Sequence, residues 1–272
     1  MKLFSRNYDK PGPGVSKDEP RKKGIARFFE LLFRDFWDLI KFNFLFCLII
    51  LPSLIVFLFG FVFFFLFATY EIMFIASFAI SLVLAFPIGG VMTAFVYYVT
   101  KMMRDEPTYV WFEFKRKFKE NYKQAAPVGI ISTAFIYSQI MLWTSLLAFG
   151  DPGSNMLLFF IATISLILFA MIMPYVFLHL AYIDLPTFTM VRNSMLMSFG
   201  FFPRSIMGVI FGGIIWVVLL LFFPNSMMAL PLIVLIGVSL SLLLNMTWVW
   251  KPFNEHFKIE ETLLARQEEE GE

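Results

Sequence analysis

Two histidines and one cysteine are the first residues outside the charged set to weigh as metal ligand, base or nucleophile. His179 stands five residues before Asp184, a spacing that could place a proton acceptor near a carboxylate at the edge of a membrane, as proton relays require. The plainer reading is a satisfied histidine near a helix end. His256 lies beside Asn254 and Glu255, too sparse a set for a metal, which wants three or four converging ligands. Cys47 sits alone in an apolar run and reads as a small buried side chain. The chain has no glycine-rich loop ending in Lys-Ser or Lys-Thr and no glycine fingerprint after a strand, so nucleotide chemistry is not encoded. No catalytic, metal or cofactor-binding residue is predicted. The expectation is a non-enzyme without cofactor or nucleic-acid partner.

The elements that would position these residues belong to lipid. Of 272 residues, 59% are hydrophobic and 19% aromatic, while 15% are charged, against about 25% in a soluble domain. Crossing the hydrocarbon takes about 20 apolar residues, and six segments supply them: Phe42 to Thr69, Ile72 to Thr100, Ala126 to Phe149, Met156 to Ile183, Ser205 to Phe223 and Leu230 to Trp250. The prediction is an all-α polytopic membrane protein with a six-helix domain over 42–250. Lys and Arg are retained on the cytoplasmic side; ten precede residue 42, seven lie in 101–125, two in 184–204 and three after 250. Both termini are therefore expected in the cytoplasm, with the short turns at 70–71, 150–155 and 224–229 outside. Before residue 42 there is no apolar core of the kind a signal peptide needs, so the first span is expected to be retained.

Inside the spans the informative residues are for packing. Gly208 and Gly212 form a Gly-x-x-x-Gly pair that lets two backbones approach. Gln139 and Asn245 need hydrogen-bond partners on other helices, and Pro52, Pro87 and Pro174 should kink their spans.

Outside them, four segments stand apart. Residues 1–23 form an extended basic arm, because Pro11, Pro13 and Pro20 cannot join a helix. Residues 24–41 read as an amphipathic interfacial helix: Ile25, Phe28, Phe29, Leu32, Phe33, Phe36, Leu39 and Ile40 recur at threes and fours, with Arg27, Glu30, Arg34, Asp38 and Lys41 opposite. In 101–125 Trp111, Phe114, Phe118 and Tyr122 share a face amid lysines, a surface for anionic lipid or a protein. In 184–204 Met190, Met195 and Met197 offer soft contacts, and an acidic tail closes the chain over 251–272.

The stretches YDKPGPGV, FFELLFRDFWDLIKFN, FPIGGVMTAFVYYVTKMMRDEPTYVWFEFKRKFKENYKQA and PYVFLHLAYIDLPTFTMVRNSMLMS resemble the YesL-like family of bacterial membrane proteins. That family is a domain of unknown function commonly encoded beside carbohydrate ABC importers. The resemblance implies such an importer as partner and carries over no catalytic or binding residue.

The leading expectation is an accessory or regulatory subunit of the cell membrane, touching the permease subunits of a carbohydrate ABC importer, their ATPase and anionic lipid. Its contact candidates are Pro11, Pro13, Phe28, Phe29, Phe36, Trp37, Trp111, Phe114, Phe118, Met190 and Met195. A passive channel or carrier for a small neutral solute is the alternative, and an assembly factor for membrane proteins a third.

Overall fold

A computed structural model describes residues 25–67, 71–107, 109–149, 155–222 and 231–271. Every regular element among them is a helix: α1 (Ile25–Arg34), α2 (Phe36–Phe67), α3 (Glu71–Leu84), α4 (Ile88–Met103), α5 (Val110–Phe149), α6 (Met156–Tyr182), α7 (Thr187–Gly200), α8 (Phe202–Phe222), a π-helical turn (Ile233–Gly237) running into α9 (Val238–Phe257), and α10 (Ile259–Gly271). Helices α2, α5, α6 and α8 and the unit of the π turn with α9 are long and apolar enough to cross a membrane. The pair α3 and α4, bent by 44° across residues 85–87, is long and apolar enough only when the two helices are taken together, so the described residues hold five such spans, or six with this pair counted as one. The chain is an all-α, multi-pass membrane protein. The arm, with Pro11 and Pro13, lies outside the described residues.

The bend follows from Pro87, which has no N–H to extend the ladder of α3. The chain restarts after one tight turn, where Ile88 N bonds Ala85 O at 3.0 Å. Ser53 of α2 donates to Ser81 O at 2.8 Å and pairs at 2.8 Å with the Tyr137 hydroxyl of α5, so the broken span is held from two sides.

Helix α4 occupies the axis of the bundle. From Ile88 to Thr100 every residue except Met92 is buried, and Val91, Phe95, Tyr98 and Met102 join residues of α2, α5, α6 and α9 in one core. Two glycines let α4 and α5 touch backbone to backbone: a Cβ on Gly89 would lie 1.9 Å from Ala125 O, and one on Gly129 would lie 2.3 Å from Gly89 N. The core is uneven along the axis. On α6 the buried residues gather at Met171–Ala181, whereas Met156, Leu157 and Phe160 at the hairpin end are exposed, as lipid-facing side chains are.

The stretch read as one amphipathic helix over 24–41 is divided at Asp35. Helix α1 stops there, and Phe36 already begins the first span. Phe28 and Leu31 turn into the core shared with α9, while Phe29, Phe33, Phe36 and Trp37 stay exposed.

Candidate functional site

The charged residues converge where α4 turns into α5. Arg104 closes α4, and Asp105 follows at φ 63°, a left-handed conformation that few residues other than glycine, asparagine and aspartate adopt. Glycine would fit the turn more easily but brings no carboxylate, and here the carboxylate is gripped. Arg27 Nη2 donates to both oxygens of Asp105 at 2.7 Å, and Arg34 Nη1 donates to Oδ1 at 2.5 Å. The same guanidiniums reach Met103 O and Met102 O at 3.0 Å each, capping carbonyls of the last turn of α4. Burial alone would raise the Asp105 carboxyl, but hydrogen bonds and charge from Arg27 and Arg34 outweigh it and hold the group below the usual carboxylate range. Burial pushes the neighbouring Asp35 the other way, with Arg34 offsetting part of it. Sequence reasoning had put Arg27 and Arg34 on a solvent face; Arg27 is in fact buried and both latch α1 to the α4–α5 turn.

A second layer lies beneath this latch. Arg104 is 5% exposed, donates to the Tyr182 hydroxyl at 2.5 Å and to Glu106 at 2.5 and 3.3 Å. Its guanidinium lies 6.0, 5.4 and 5.6 Å from the ring centres of Tyr97, Tyr182 and Trp250, a cage that the chain fills with its own cation. Burial works against the charge on Arg104, and Tyr182 with Glu106 more than restores it. Glu113 of α5, 2% exposed, takes Lys101 Nζ at 2.5 Å and Arg116 Nη2 at 2.6 Å. Tyr182 also pairs with Thr100 Oγ1 at 2.6 Å, and Gln124 donates to Leu185 O. Ends of α1, α4, α5, α6 and α9 thus meet in one aromatic and ionic knot. Removing one partner of a buried pair costs about 3–5 kcal/mol, so the knot fixes the relative positions of these helices.

His179 is buried, edge-on to Phe253 and Phe257 with ring centres 5.1 and 5.3 Å away. Its Nδ1 lies 2.8 Å from Tyr175 O and 3.0 Å from Ser194 Oγ. A carbonyl can only accept, so Nδ1 carries the proton and has no lone pair with which to draw one from Ser194. Ser194 gives its own proton to Met190 O at 2.8 Å. The geometry is that of a fixed core histidine and lacks what an activated serine needs. Asp184 is exposed, and none of the hydrogen bonds or ion pairs seen joins it to His179.

The remaining candidates divide by exposure. Phe28, Phe114 and Met190 are buried within the chain and present nothing to a partner, because the core needs their bulk. Phe118 is half-buried, stacked between Phe114 and Tyr122. Phe29, Phe36, Trp37, Trp111 and Met195 are exposed. Gly208 and Gly212 face α9, where added Cβ atoms would meet Val249, Asn245 and Ser241 O at 3.0–3.3 Å, so this pair serves packing inside the chain. Gln139 Nε2 donates to Ser165 Oγ at 3.0 Å across α5 and α6. The residues sequence reasoning missed are Arg104, Asp105, Glu113 and Tyr182. Their one signal was a cluster of charges directly after an apolar run. No protein family, curated protein or solved structure matches this chain.

Proposed function

We propose that this chain is a non-enzymatic accessory or regulatory subunit of the cell membrane, associated with a carbohydrate ABC importer and oriented with both termini in the cytoplasm. The observation that carries the reading is the position of α4. A solute path would need a lumen along the bundle axis, and that axis is filled by Val91, Phe95, Tyr98 and Met102. The six apolar stretches hold no Asp, Glu, Lys or Arg, so they lack the groups that ion-driven transporters place at membrane depth. The ionic knot turns its charges inward and leaves an aromatic surface outside: Phe33 is 76% and Trp37 70% exposed, with Phe29 and Phe36 beside them. Such a surface suits lipid and a neighbouring membrane protein alike. The importer and its sugar class rest on the resemblance to YesL-like proteins, and the orientation on the distribution of Lys and Arg.

The test is a mild-detergent pull-down of the tagged protein from its own host, with mass spectrometry of what stays bound. A permease pair with its ATPase in near-equal amount is the expected result, reduced when Phe33 and Trp37 are replaced by serine. Recovery of this protein by itself, under conditions that keep other importers whole, would sink the proposal.

A further inference from the structure

Helix α7 is inside out. Its buried side carries Met190, Ser194, Met197 and Ser198, whereas the side turned away from the chain carries Phe188, 83% exposed, with Leu196 at 62%, Phe199 at 54% and Met195 at 45%. A helix bathed in water turns its apolar side inward and its polar side out, and here the hydroxyls of two serines point in while the large apolar side chains point out. Phe188, Arg192, Met195 and Phe199 recur at spacings of four, three and four, so they form one stripe with a single cation in its middle. The stripe does not stop with the helix: Phe202, exposed as well, carries it onto α8, one of the membrane-spanning helices.

Contacts with α6 set the depth. Ser194 Oγ meets His179 Nδ1 at 3.0 Å, and Ser205 Oγ meets the Tyr175 hydroxyl at 3.1 Å. The two serines are about three turns apart along the chain and their partners about one, so α7 crosses α6 instead of following it. A helix rises about 29 Å from Met156 to Tyr175 and about 35 Å to His179, and the hydrocarbon is about 30 Å thick. The crossing therefore sits at the boundary between acyl chains and headgroups, where in-plane helices bury an apolar face by about 5–10 Å. Arg192 suits that level, since its stem can run along apolar surface while the guanidinium reaches a phosphate. We propose that α7 lies in the plane of the membrane at this boundary, with Phe188, Met195, Leu196 and Phe199 against lipid chains and Arg192 on a lipid phosphate. Lipid, not a protein partner, covers this face, and it does so whether or not the chain is bound to an importer.

Spin labels read the depth directly. The chain has one cysteine, so a Cys47→Ser background accepts single labels at Phe188→Cys, Leu196→Cys or Phe199→Cys, with Val217→Cys on the exposed face of α8 as the lipid reference and Glu261→Cys on α10 as the water reference. Each full-length variant is purified, reconstituted in phosphatidylcholine bilayers and probed for collisions with oxygen, which concentrates in lipid, and with a water-soluble nickel chelate. At all three α7 positions oxygen should dominate, as at Val217 and in reverse of Glu261. Arg192→Glu, which sets a carboxylate against the phosphates, should raise nickel access at Phe199→Cys. Nickel dominance at the three positions would overturn the proposal and leave the face in water, open to a protein. Low access to both reagents would overturn it too, because the face would then be covered by a second copy of the chain. Unchanged nickel access in Arg192→Glu would overturn the contact between Arg192 and phosphate.

Discussion

The Asn43 carboxamide stands inside the backbone ladder of the last span, where its Oδ1 accepts the Ser239 N–H at 2.9 Å. The π-helical turn at Ile233–Gly237 widens the helix by one residue per turn and frees backbone groups. Asn43 Nδ2 supplies the missing donor to Ile233 O and Val234 O at 2.9 and 2.6 Å, and Ser239 Oγ returns a bond to Leu39 O at 2.7 Å. A side chain of the first span thereby completes the last one.

Asn43→Ala should cost about 1–3 kcal/mol for each buried backbone group left unpaired. Unfolding of the purified protein in detergent measures it. A variant as stable as wild type would mean that water fills the gap.

The α1 latch gives a second expectation. Asp105→Gly keeps the left-handed turn and loses the carboxylate, so hydrogen exchange over residues 25–34 should accelerate while α4 stays protected. Asp105→Asn tolerates the backbone and loses the charge, and should fall between. If neither changes exchange in α1, the two arginines do not hold it.

The same latch should respond to acid. The folded Asp105 carboxyl is depressed, so its contribution is present above the ordinary carboxylate value of about 4 and disappears as pH falls through the lower folded value. Asp35, raised in the fold, acts in the opposite sense. A local probe on α1 should therefore show release at a pH below about 4, and Asp105→Asn should lack that step. An acid transition unaltered in Asp105→Asn would assign it to other groups.

Glycine positions offer an internal contrast. Gly89→Ala forces a Cβ into Ala125 O and should destabilise by about 1–3 kcal/mol or more, the cost of overpacking. A Cβ on Gly213 meets nothing within 4 Å, and Gly213→Ala should be neutral or gain up to about 1 kcal/mol. Thermal unfolding of the two variants side by side checks the pair; equal effects would contradict the close crossing of α4 and α5.

The spans were legible in the sequence because a run of apolar residues is a local signal, and so was the break at Pro87, which proline chemistry dictates. The knot was not. Arg27 and Asp105 are 78 positions apart, and no periodicity records which distant charge a given arginine will meet. Counting Lys and Arg yielded an expected orientation and concealed that several of them are structural. Met190 and Phe114 misled for a related reason: a soft or aromatic side chain near the membrane edge looks the same in sequence whether it faces a partner or its own core.

The placement of α4 also orders assembly in time. Nearly all of its surface is covered by α2, α5, α6 and α9, and α5, α6 and α9 are made after it. A newborn chain that ends at residue 107 therefore holds a helix that has met Phe42 of α2 but still lacks its neighbours from α5, α6 and α9. Until α5 emerges and its Gly129 meets Gly89, the face of α4 that those glycines close stays unpaired within the chain.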